Sequence, residues 1–402
     1  MSPGPLPEGE PVPSDGSLPR GVIVGKRPLS FYVHVPFCAS RCGYCDFNTY
    51  TADELGEGVT RATYADDVIA EIAWARRVLG DSELPVQTVF FGGGTPTLLP
   101  PEDLARILAA IDGEFGLATD AEVTTEANPD SVDASSLAQL RDAGFTRMSF
   151  GMQSAVPHVL AVLERTHTSG RSLEAVRWAR QAGFEHVSLD LIYGTPGESS
   201  VDWRTSVEAA VAADVDHVSA YALVVEDGTR LAVKVRRGDM TEPDDDEAAE
   251  RYEVADALLS AAGFDWYEVS NWAKPGGQCR HNLAYWRGDD WWGAGPGAHS
   301  HVDGVRWWNV RHPGEYARRV RAGVSPGAGR EVLTAADRNV EALLLGIRLR
   351  EGVSLSTLHG RMSDIAELVA DGLVDGDEAA RGRLELTLRG RLLADRVVHA
   401  LT

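Results

Sequence analysis

The sequence predicts an α/β fold: a partial (β/α)6 TIM-like barrel of parallel strands, followed by a small winged-helix-like α+β appendage at the C-terminus. Two observations carry this. From residue 29, short β-branched and aromatic runs alternate with amphipathic stretches, the order that builds a parallel sheet with helices outside it. About six such units are present, too few to close an eight-stranded barrel, so a splayed, partial closure is expected. A third observation places the appendage, because from about residue 333 the pattern changes to short helices and one hairpin.

The strands are expected at residues 31–35, 88–91, 122–126, 147–152, 187–192 and 217–223, and the helices at 64–79, 101–115, 134–143, 173–182 and 199–213. The appendage is read as helices over 339–349, 356–362 and 365–371, a strand at 383–388 and a closing helix over 390–401. Residues 1–28, rich in Pro, Gly and Ser, are expected to be a disordered tail. The remaining divisions are a barrel over 29–225, an extension over 226–332 and the appendage over 333–402.

With 402 residues, 44% of them hydrophobic, the chain can bury a substantial core. A formal net charge of -22 opposes nucleic acid or an anionic membrane surface as a tight partner. The chain has no apolar run of membrane-spanning length and begins without a signal-peptide pattern, so a cytoplasmic location is expected. Four cysteines in so long a chain, three of them in one loop, imply a reducing compartment and not a disulfide framework.

Those three lie in Phe37-Cys38-Ala39-Ser40-Arg41-Cys42-Gly43-Tyr44-Cys45, directly after a strand ended by Pro36. A structural zinc site wants four closed ligands, and the fourth cysteine, Cys279, is far downstream. Three thiolates suit an iron–sulfur cubane with one open iron. Val89-Phe90-Phe91-Gly92-Gly93-Gly94-Thr95 is a second strand ending in a glycine run, where backbone groups can approach a ligand closely. Glu126, Gln153 and Asp190 recur at the ends of later apolar strands. A polar group there is costly unless it meets a ligand or a partner. One carboxylate suits an ammonium, another ribose hydroxyls, and Arg165 a carboxylate. The structural alternative for any one of them is an internal salt bridge.

CxxxCxxC resembles the signature of the radical-SAM superfamily. With FFGGGTPT, EANP, GMQS, DLIYGTPGE and EVSNWAKPGGQCRHNLAYW, the chain from about residue 29 onward closely resembles the HemW/HemN branch, which holds oxygen-independent coproporphyrinogen III dehydrogenases and haem chaperones. The resemblance implies a 4Fe-4S cluster on Cys38, Cys42 and Cys45, with S-adenosylmethionine on its open iron. Tyr32, Gly94, Thr95, Glu126, Gln153, Arg165 and Asp190 match positions that contact S-adenosylmethionine, Gly93 joins them in the glycine cradle, and His34 matches a histidine near the cluster.

The dehydrogenases usually carry a further cysteine two residues beyond the last ligand, where this chain has Phe47. That departure resembles the chaperone side of the branch. So does the motif His281-Asn282-Leu283-Ala284-Tyr285, which the resemblance associates with haem through His281 and Tyr285, beside Trp286, Trp291 and Trp292. The expectation is a haem chaperone that carries haem as cargo to haem-accepting respiratory proteins, with acceptors at the membrane and a homodimer among what the resemblance allows. The alternative is a coproporphyrinogen III dehydrogenase. Gly293-Ala294-Gly295-Pro296-Gly297-Ala298 mimics a dinucleotide fingerprint but follows an acidic turn and is interrupted by Pro296. It is read as a turn packed near the cluster, with His299 after it.

Overall fold

The computed structural model describes residues 8–55, 60–80, 85–168, 170–358 and 360–402. Six parallel strands form its centre: β1 (Leu29–Val35), β2 (Val86–Gly93), β3 (Leu117–Ala127), β4 (Arg147–Gln153), β5 (His186–Tyr193) and β6 (His217–Ala222). Between them run α1 (Arg61–Leu79), α2 (Pro101–Phe115), α3 (Ala134–Asp142), α4 (Pro157–Val162), α5 (Arg171–Ala182) and α6 (Ser200–Ala212). The helices form where apolar residues repeat on one face. In α2, Leu104, Ile107, Leu108 and Ile111 are all buried, and Asp133 caps α3 by accepting from the Ser136 amide at 2.8 Å.

Alternation along the strands sorts the two faces of the sheet. Phe31, Val33, Val89, Phe91, Val123, Met148, Phe150, Leu189, Leu191 and Val218 are buried in the main core. The intervening Tyr32, Phe90, Thr124, Glu126, Ser149, Ser188, Asp190 and Ser219 line a cavity on the opposite face. A TIM barrel packs that inner face with branched apolar side chains, so a polar lining here reserves the space for a ligand.

The region after β6 adds six strands to the same sheet, none anticipated from the sequence. It comprises α7 (Arg230–Arg236), α8 (Asp245–Ala261), β7 (Asp265–Glu268), β8 (Asn271–Ala273), α9 (Arg280–Arg287), β9 (Asp290–Ala294), β10 (His299–Val302), β11 (Val305–Asn309), α10 (Pro313–Arg321) and β12 (Gly327–Val332). The sheet runs β12-β11-β10-β9-β1-β2-β3-β4-β5-β6-β8-β7. β9 lies parallel to β1, and the remaining added strands pair antiparallel.

The expectation of a disordered tail over residues 1–28 is corrected for residues 8–28. Glu10 bridges Arg330 on the edge strand β12 through amide-to-carbonyl bonds of 2.8 and 2.9 Å, and Ser14 O accepts from the Ser325 amide at 2.8 Å. Val12, Leu18, Val22 and Val24 pack against the main core. The segment cannot bury surface of its own, but it covers an exposed edge and borrows the core beneath it. Residues 1–7 lie outside the described residues.

The C-terminal region holds α11 (Ala335–Gly346), β13 (Val353–Ser354), α12 (Met362–Ala370), α13 (Gly376–Ala380), β14 (Arg383–Leu384), α14 (Leu388–Leu392) and α15 (Ala394–Leu401). It has its own apolar cluster, including Ile347, Leu368, Leu373, Leu384 and Val397. Arg391 ties it to the sheet by pairing with Asp256 at 2.9 Å and stacking over Trp266, 4.4 Å from the ring centre.

Candidate functional site: a thiol-rimmed cavity

The loop after β1 is closed on itself. The Cys38 amide donates to Tyr50 O at 3.0 Å and the Tyr50 amide to Pro36 O at 2.7 Å. It rests on the end of β2, where the Gly94 amide bonds Val35 O at 2.8 Å and the Thr95 amide bonds Phe37 O at 2.7 Å. A Cβ at Gly94 would lie 2.3 Å from Phe37 O and 3.0 Å from Cys38 Sγ, so only glycine lets strand and loop meet. Above the loop, the Leu231 amide of α7 donates to Gly43 O at 2.8 Å, and Glu164 pairs with both Arg230 and Lys234 at 2.7 Å.

The loop roofs a cavity of about 730 Å³, and every residue expected of the site lines it: Tyr32, Cys38, Cys42, Cys45, Gly93, Gly94, Thr95, Glu126, Gln153, Arg165, Asp190, His281 and Tyr285. Burial pushes the Cys38 thiol up and Cys45 up to about 12, the neighbouring thiols adding to the shift. Arg165 Nη1 lies 3.6 Å from Cys42 Sγ, and its Nε has no partner among the described residues. Thiols so reluctant to ionise alone become thiolates when a cationic centre takes them. Among the described residues no three of His, Cys, Asp and Glu are grouped to hold a single metal ion. Three half-buried thiols rimming one cavity, with an arginine beside them, are a donor set suited to a larger iron–sulfur group.

Below the thiols, the Gly93 amide donates to Glu126 Oε2 at 3.3 Å, and Ser149 Oγ lies 3.1 Å from both Asp190 oxygens. Burial first, then the charge of Asp190, pushes Glu126 up to about 8. Burial also raises Asp190. Gln153 ends β4 with φ 65°, a left-handed conformation that turns the chain at the cavity, and Arg165 Nη2 donates to Gly151 O at 3.0 Å. His34 stands outside the lining and buttresses it. Its Nε2 donates to Asn48 O at 2.9 Å, leaving Nδ1 to accept from the Tyr32 hydroxyl at 3.0 Å, and burial holds the ring down to about 4.

The 277–287 segment closes the foot of the cavity. Buried Arg147 pairs with Glu122 at 3.1 Å and donates to Gly277 O at 2.7 Å and Gln278 O at 2.9 Å. Helical spacing then explains the HNLAYW motif: His281 and Tyr285, four apart, face the cavity, while Asn282 and Trp286 both hydrogen-bond the Glu268 carboxyl. His281 is 1% exposed, and its ring stacks on Phe90. Its Nδ1 lies 2.7 Å from Thr88 Oγ1 and its Nε2 3.0 Å from the Tyr285 hydroxyl, so neither nitrogen is free. Cys279 stands at the start of α9 at the foot, with its Sγ 3.5 Å from Glu122 Oε1.

Sequence reasoning missed Phe90, Thr124, Arg147, Ser149, Ser188, His217 and Ser219, all on the cavity wall. The signal was present: read at every second position, the barrel strands put polar residues on one face. Two of the missed residues hold unsatisfied buried atoms, Thr124 Oγ1 and His217 Nδ1.

A parallel half-barrel whose first strand hands three thiols to the mouth, beside a glycine run and a strand-end carboxylate, defines a radical-SAM protein. The Radical SAM superfamily profile matches residues 32–210. The chain is 55% identical over 387 residues to a protein of Mycobacterium tuberculosis named "Heme chaperone HemW", covering 96% of this chain and 97% of that one. It is 33% identical to a protein of the same name from Bacillus subtilis, covering 92% and 98%. A solved structure of coproporphyrinogen III oxidase (HemN) from Escherichia coli superposes with a TM-score of 0.79 at 23% identity, covering 93% and 90%, which shows a common fold. This chain belongs to the HemW family. Membership of the radical-SAM superfamily implies a 4Fe-4S cluster and S-adenosylmethionine.

Proposed function

We propose that the protein is a haem chaperone that holds a 4Fe-4S cluster on Cys38, Cys42 and Cys45 and S-adenosylmethionine beneath it, and that passes haem to haem-accepting respiratory proteins. The observation that carries this reading is near-full-length similarity to proteins named as haem chaperones, together with Phe47 in place of the dehydrogenases' extra cysteine. Phe47 is 60% exposed beside the cysteine loop and offers no thiol.

On this reading Gly93, Gly94 and Thr95 present backbone to the methionine moiety, Glu126 takes its ammonium, Arg165 its carboxylate, and Tyr32, Gln153 and Asp190 the remainder. When bound, the cluster and S-adenosylmethionine supply one-electron chemistry. The haem is placed at the HNLAY end of the sheet, with His281 as the expected iron ligand and Tyr285 beside it. No helix among the described residues is long and apolar enough to cross a membrane. Delivery to membrane proteins would then take place from the surface of a cytoplasmic protein, alone or as a homodimer.

Anaerobic incubation of the reconstituted protein with coproporphyrinogen III, S-adenosylmethionine and reductant tests the reading. The expected result is no protoporphyrinogen, with haem binding seen as a Soret shift. Robust turnover would establish the dehydrogenase instead.

A further inference from the structure

Residues 293–298 mimic a dinucleotide fingerprint in sequence, but in the fold they form a turn seated against the return limb of the thiol loop. The contact is specific. Asn48, which follows Cys45 on that limb, spends its whole carboxamide there. Its Nδ2 donates to Pro296 O and to Arg311 O, both at 3.0 Å, and its Oδ1 accepts from the Tyr50 hydroxyl at 3.2 Å. Gly297 permits this approach: its φ is 76°, and a Cβ would fall 2.5 Å from Asn48 Nδ2. Gly295, with φ 106°, lies as close to β1, since a Cβ there would fall 2.5 Å from His34 O.

The turn is itself anchored from behind. Buried Glu71 of α1 accepts from the Gly295 amide and from Asn309 Nδ2, each at 2.8 Å, and from the Tyr316 hydroxyl. Asn309 Nδ2 also reaches Gly295 O at 2.9 Å. A buried network with its partners in place makes a rigid seat. The thiol loop is therefore held on two sides, by β2 through Gly94 and Thr95 and by this turn through Asn48.

The backbone of Asn48 has a second effect. Its carbonyl can only accept, so His34 Nε2, 2.9 Å away, carries the ring proton. Burial keeps that ring neutral at pH 7, so Nδ1 is an acceptor and the Tyr32 hydroxyl, at 3.0 Å, must donate to it. Tyr32 lines the cavity, and with its one proton committed only its oxygen lone pairs remain for a ligand. Such an oxygen suits a donor or a cation, and S-adenosylmethionine carries an ammonium and a sulfonium.

We infer that Asn48 is a positioning residue for S-adenosylmethionine: its side chain latches the Cys45 limb to the Pro296–Gly297 turn, and its carbonyl sets the His34 tautomer that leaves Tyr32 an acceptor. This rests on the proposed cluster and S-adenosylmethionine site and names residues that fix its geometry without touching the ligand.

The test compares full-length, anaerobically reconstituted wild type with Asn48→Ala, Asn48→Asp, His34→Leu and His34→Gln. Iron and sulfide content, S-adenosylmethionine affinity by calorimetry, and the EPR spectrum of the reduced cluster with and without S-adenosylmethionine are measured. Both Asn48 variants are expected to keep iron and sulfide near wild type, because all three thiols remain. They should bind S-adenosylmethionine at least about tenfold more weakly and lose the EPR change it causes in wild type. His34→Leu should behave likewise, whereas His34→Gln, which keeps one donor and one acceptor, should recover most of the affinity. A lowered melting temperature with affinity and EPR change intact would mark Asn48 as merely structural and overturn the assignment. Wild-type affinity in His34→Leu would overturn the tautomer relay. Failure of wild type to assemble a cluster or to bind S-adenosylmethionine would instead sink the proposed site, and the latch with it.

Discussion

Cys38, Cys42 and Cys45 share one loop and one cavity rim, whereas Cys279 is buried at the opposite end beside Glu122. Alanine at any of the first three removes a strong ligand and is expected to abolish the cluster, while Cys279→Ala should leave iron and sulfide content near wild type. Equal loss from Cys279→Ala would refute the three-thiol assignment. Gly94→Ala should also cost the cluster, because its methyl would displace Phe37 O and crowd Cys38 Sγ. Glu126 makes a different prediction. Its carboxyl is pushed up to about 8, so near pH 7 it is mostly protonated, yet an ammonium ligand needs it ionised. Binding of S-adenosylmethionine should therefore release a proton and tighten as pH rises, levelling off above about 8, and Glu126→Gln should bind weakly without that dependence. Isothermal titration across pH checks this, and a flat wild-type affinity between about pH 6 and 8.5 would count against it.

The elements of the barrel were legible because strand and helix signals alternate without interruption, and the thiol loop because its spacing has few other uses. Less was legible where function depends on pairing between distant strands. The tryptophan-rich run 290–309 carries no clean alternation into polar residues, since β9 and β11 are largely buried. Arg147 read as an ordinary strand residue, although it locks the 277–287 segment across the barrel's foot. Its partner Glu122 also accepts from the His281 amide at 3.0 Å, so one buried ion pair fixes the start of α9. Arg147→Met would strand that carboxylate, and a loss of about 3–5 kcal/mol is expected in chemical denaturation. A change below about 1 kcal/mol would show that the pair is not what holds the segment.

At the scale of the molecule, buried ionisable groups set opposing pH limits on the unliganded protein. Burial raises Glu71, Glu198 and Glu268 to about 7 and Glu126 to about 8, so the folded state holds protons that the unfolded state releases above the ordinary carboxylate range. These groups lose stability for the fold as pH climbs from about 4.5 to 8. Burial lowers His34, His167 and His281 to about 4, and their contribution is lost as pH falls below about 6.5. Repulsion within a chain of net charge -22 adds to the decline at high pH. The melting temperature should fall as pH rises from about 6.5 to 8.5, where only the carboxylates still titrate. A peak above about pH 8 would mean that the carboxylates are ionised in the fold.

The strand that launches the thiol loop is flanked on one side by β2 and on the other by β9, whose residues 290–294 are made long after residues 29–33. During synthesis the ribosome delivers the cysteines early, but the second neighbour of their strand emerges only when nearly three quarters of the chain exists. Until then the loop hangs from a half-flanked ribbon. If the three thiols take the cluster as proposed, a cluster loaded onto a fully flanked β1 has to follow the emergence of β9.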